Sequence, residues 1–67
     1  MNLIDRIDVA ANLLALSEGE ELTISGEVWF RISPSEFKVS PHAPDYDRDC
    51  YWVPATTMDI VAVLPRS

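Results

Sequence analysis

The chain has 67 residues, 11 Asp plus Glu against 5 Lys plus Arg, a net charge of −6 and 48% apolar residues. A chain of this length forms one small domain, burying only about 60% of its unfolded surface, and its acidity excludes a basic nucleic-acid binder. So many apolar residues also exclude a disordered acidic tail.

The first element is a helix over residues 3–16, with Asn2 as its cap, Asp5 in its first turns and Gly19 just beyond its end. Leu3, Ile4, Ile7, Ala10, Ala11 and Leu14 form a stripe with the i, i+3, i+4 spacing of a core face. Asp5, Asp8 and Asn12 mark the wet side. Val9, Leu13 and Leu16 form a second apolar ridge, to be covered by a curling sheet or by another protein.

From Glu21 the period changes to two. Leu22 and Ile24 alternate with Thr23 and Ser25, and Val28, Phe30 and Ile32 alternate with Glu27, Trp29 and Arg31. Ser25-Gly26 is either a two-residue hairpin turn or a bulge in one long strand. Ser33-Pro34-Ser35-Glu36 has capping-box spacing and predicts a short helical turn. Residues 37–40 form a further strand. Residues 41–49 form a loop with two prolines and no apolar period. Cys50 to Val53 is a strand closed by Pro54. Thr56-x-x-Asp59 predicts a helical turn, and the β-branched run from Ile60 to Leu64 a terminal strand ended by Pro65. The segment from Trp52 to Val61 resembles the end of an SH3-like barrel, a likeness that bears on shape alone. The expected fold is therefore α+β: one domain over residues 1–67, an N-terminal helix on an antiparallel sheet of four to five strands, with one or two short helical turns.

Little in the chain points to catalysis. Asp45-x-Asp47-x-Asp49 has the start of an EF-hand loop, but Cys50 stands where that loop needs Gly and Thr56 where it needs Glu. No metal and no cofactor is expected. Cys50 and His42 are the single Cys and His, eight residues apart in a Pro-containing segment, and Gly19 and Gly26 cannot make a phosphate loop. The chain is expected not to be an enzyme. A lone Cys forms no intrachain disulfide, and the acidic start and short apolar runs give neither a signal peptide nor a membrane span. A cytoplasmic location is expected.

The acids carry the remaining signal. Residues 1–36 hold seven acids and two bases, a net of −5, and residues 37–67 hold four and three, a net of −1. Glu18, Glu20 and Glu21 crowd the exit of the first helix, where the helix dipole is also negative. In an extended chain Asp45, Asp47 and Asp49 would lie about 6.6 Å apart on one side, close to two phosphate steps of about 3.4 Å on a DNA strand. Such a row would enter a Lys- and Arg-lined channel by the steering that draws in DNA. A solubilising surface is the competing reading. Trp29, placed by alternation on the face with Glu27 and Arg31, is either an interface anchor or a residue covered by the helix or the 41–49 loop.

In size, acidity and the acidic face formed by Glu18, Glu20, Glu21, Glu36, Asp45, Asp47 and Asp49, the chain resembles phage-encoded anti-CRISPR proteins, in particular inhibitors of type I systems, type I-C among them. The resemblance rests on no diagnostic motif. It implies an inhibitor in the bacterial host cell that binds a basic surface of a CRISPR-Cas effector subunit, Cascade or Cas8-like, and competes with target DNA without contacting nucleic acid or membrane. The seven acids are then the partner-binding residues. A small homodimeric structural or regulatory module is the alternative, so the expected state is monomer or homodimer.

Overall fold

The computed structural model describes residues 1–66. In chain order it contains α1 (Leu3–Leu14), β1 (Glu21–Ile24), β2 (Glu27–Ser33), β3 (Glu36–Ser40), β4 (Tyr51–Pro54) and α2 (Thr57–Val63). The strands form one antiparallel sheet in the order β1-β2-β3-β4, and both helices cover one face of it. This is the α+β fold expected. The sheet stays open, so the terminal strand and the SH3-like barrel are corrected.

Local chemistry explains the element boundaries. Asn2 caps α1, its Oδ1 accepting from the Asp5 N–H at 2.8 Å. Ser25 and Gly26 have φ of 50° and 81°, the two positive values that a type I′ turn requires, which makes this site a hairpin and not a bulge. The expected helical turn at Ser33–Glu36 is instead the tight link between β2 and β3, with Ser33 paired to Glu36 across it. Thr56 Oγ1 accepts from the Asp59 N–H at 3.2 Å and starts α2, which runs through Val63 in place of the expected strand. Helical spacing wins because it puts Ile60 and Leu64 on the same side, where both are buried.

Two cross-strand rows define the sheet's faces. Leu22, Trp29, Val39 and Tyr51 are successive partners on the helix side, and Glu21, Phe30, Lys38 and Trp52 are successive partners on the other. Trp29 is 1% exposed and meets Phe37 edge-on, with ring centroids 5.9 Å apart. It is a core residue beneath the helices, not an interface anchor.

The packing of α1 differs in part from the stripe that its spacing predicts. Ala10 and Leu13 are buried and Val9, Leu14 and Leu16 pack against the core, whereas Leu3, Ile4 and Ile7 are exposed. Arg31 holds this end of the helix against the sheet, its Nη1 donating to the carbonyls of Leu14 at 2.7 Å and Leu16 at 3.2 Å. The second ridge, Val9, Leu13 and Leu16, is covered by the chain's own sheet, one of the two covers expected, and the front of the expected core stripe, Leu3, Ile4 and Ile7, is free.

Tyr51 and Glu27 sit on the helix side, where the Tyr51 hydroxyl donates to Glu27 Oε2 at 3.0 Å. Burial, then this hydrogen bond and the carboxylate's charge, push the phenol up to about 12 from its usual 10.0. A raised value means that the fold holds the proton more tightly than the unfolded chain does. The contribution is therefore complete below about pH 10 and is lost as pH rises toward 12. Ultraviolet titration of tyrosinate is expected to show one phenol ionising late, and Glu27→Gln to bring it earlier.

Candidate protein-binding face

The sheet face away from the helices is only half covered. From the end of β3 the 41–49 segment turns back across it, with the Asp45 N–H donating to the His42 carbonyl at 2.8 Å and the Arg48 N–H to the Asp45 carbonyl at 3.3 Å. Ser40 Oγ donates to the Tyr46 carbonyl at 2.9 Å, and the Tyr46 ring meets Phe30 edge-on with centroids 5.5 Å apart. Val28 and Ser40 are buried, although they lie on this outer face. Beyond Tyr46 the cover stops. Phe30, Ile32, Lys38, Tyr46 and Glu21 line an open groove of about 510 Å³. Trp52, 53% exposed, stands beside Lys38 in the same row.

The acids fall into two groups. β1 and β3 begin, and β2 and β4 end, at the same end of the sheet, which brings Glu21 and Glu36 together there with the turn that holds Glu18 and Glu20. Among the described residues none of these four carboxylates has an ion-pair partner. Glu20 has a structural task as well, its Oε1 accepting from the Ser17 N–H at 2.6 Å. The crowding at the helix exit is relieved by Arg31, whose guanidinium meets the α1 carbonyls although α1 has no basic residue in its last turn.

Asp45, Asp47 and Asp49 do not form an extended row. The segment is a chain of turns and Asp49 has a φ of 52°, so the alternation that would align the three carboxylates is lost. Asp47 pairs with Lys38 at 3.2 Å, and Asp49 lies 3.2 Å from His42 Nε2 and 3.9 Å from Arg48 Nε. The structure thus brings Glu18, Glu20, Glu21 and Glu36 to one sheet end and places the three aspartates in the loop at the other.

Phe30, Ile32, Lys38, Tyr46 and Trp52 were not singled out by the sequence reading. Lys38 holds the missed signal, because a lysine between the buried Phe37 and Val39 marks the side of β3 that faces water, and pairing carries that side to Phe30 and Trp52. Among the described residues no three His, Cys, Asp or Glu side chains converge as a metal ion would require. No described helix is long and apolar enough to cross a membrane. Compared with protein families, characterised proteins and solved structures, the chain matches none.

Proposed function

We propose that the chain is a non-enzymatic protein-binding module that docks its open sheet face on a basic surface of a partner protein. The observation that carries this reading is the row Glu21, Phe30, Lys38, Trp52, whose aromatic surface lies on the sheet face that also bears Glu21 and Glu36, carboxylates without an ion-pair partner among the described residues. Aromatic side chains supply contact area at a binding surface. Uncompensated acids around them raise the rate of encounter with a cationic partner. In its specific form the partner is the DNA-binding surface of a type I CRISPR-Cas effector, and the module inhibits by competing with target DNA. That form is supported by the resemblance in size and acidity, and by the four glutamates gathered at one end of the sheet.

The test is an electrophoretic competition between this protein and target DNA for a purified type I effector complex. Wild type is expected to displace the DNA. Trp52→Ala is expected to weaken binding about 30-fold, the loss of one central aromatic anchor, and Glu21→Lys with Glu36→Lys to abolish it while the circular dichroism spectrum stays native. Unimpaired competition by both variants would remove the sheet face as the site. No binding to the effector, alongside Trp52-dependent binding to another basic protein, would remove the CRISPR form and keep the module.

A further inference from the structure

We propose that the exposed sides of α1 and α2 form a dimer interface with a second copy of this chain. Leu3, Ile4 and Ile7 present an apolar ridge on α1, with Ile4 71% exposed, and Met58 on α2, 81% exposed, extends it. Between the helices lies an open groove of about 530 Å³, lined by Leu3, Ile7, Met58 and Val61 among others. Isolated exposed apolar residues are ordinary, but a contiguous set on two packed helices marks an association surface.

Charge argues that the occupant is another copy. Arg6 and Arg66 line the groove and helical spacing puts Asp8 beside the ridge, a net of +1, whereas the rest of the chain carries ten carboxylates against three cations. The molecule's acidity is therefore kept off the one face where two like copies can meet without strong repulsion. Complementarity adds direction. Arg6 flanks the ridge on its α2 side, donating to the Val61 carbonyl at 3.2 Å, and helical spacing places Asp8 on the opposite flank. Two ridges packed parallel about a two-fold axis set the arginine flank of each copy against the aspartate flank of the other. The helices lie on the opposite side of the sheet from the groove at Phe30, so the dimer would present two outward sheet faces.

Sedimentation equilibrium of the full chain over a micromolar to millimolar concentration series tests this directly. The expected result is a monomer–dimer equilibrium that Ile4→Lys and Met58→Lys each weaken about a hundredfold, with native circular dichroism because both side chains point to solvent. Trp52→Ala is expected to leave it unchanged. A wild-type monomer at every concentration overturns the proposal. So does a dimer that survives both lysine variants, or one that Trp52→Ala dissociates, since either places the contact elsewhere.

Discussion

Trp29→Ala is expected to leave the chain largely unfolded at 25 °C, seen as a loss of the cooperative thermal transition by circular dichroism. Trp29 is the largest fully buried side chain and touches the core from the centre of β2, between β1 and β3. Truncating a buried aromatic costs about 3–5 kcal/mol, because the lost transfer energy adds to that of the cavity left behind. A domain of this length has about 3–10 kcal/mol in all, so one substitution removes much of the total. Trp29→Phe is expected to cost far less. The indole Nε1 is buried without a hydrogen-bond partner among the described residues, and phenylalanine removes that donor while keeping most of the ring.

Arg31→Lys is expected to destabilise the fold by about 2–4 kcal/mol, despite keeping the charge. The guanidinium joins the end of α1 to the link between β2 and β3. Nη1 reaches the α1 end at Leu14 and Leu16, Nη2 donates to the Pro34 carbonyl at 2.8 Å, and Nε donates to the Ser33 carbonyl at 3.3 Å. Its carbon also lies 5.3 Å from the centre of the Phe37 ring. An ammonium has no planar fork and cannot meet the helix end and the β2–β3 turn at once. Urea denaturation is the measurement, and a midpoint equal to wild type would show that the helix end is held by packing alone. Because Arg31 ties the end of α1 to β2, the same variant is expected to loosen that end of the helix from the sheet.

Much of the architecture is written locally. Asn2 and Thr56 accept from N–H groups three residues on, Ser25-Gly26 supplies two positive φ angles, and the two-residue period from Glu21 marks strands. Each of these depends on neighbours in sequence, so the α+β class and most element boundaries are legible without coordinates. The candidate site was half legible. The glutamates could be found by counting charge, but Phe30 and Trp52 become a surface only because β2, β3 and β4 pair in one register.

The amphipathic pattern of α1 and β2 admits two solutions each, and tertiary structure chose between them. On β2 both alternating sets contain large apolar residues, Val28, Phe30 and Ile32 against Trp29, and alternation alone does not say which set faces the helices. The helices settled on the face where Trp29 and Phe37 interlock and where Arg31 satisfies helix carbonyls that would otherwise lack partners. On α1 the same choice buried Ala10 and Leu13 and left Ile4 outside. Composition and charge order along the chain thus determined an acidic α+β domain with its carboxylates mostly in the first half. Which apolar surface stays exposed, and which acids surround it, was decided by packing. Burial is a property of the whole assembled core, and no local run of sequence contains it.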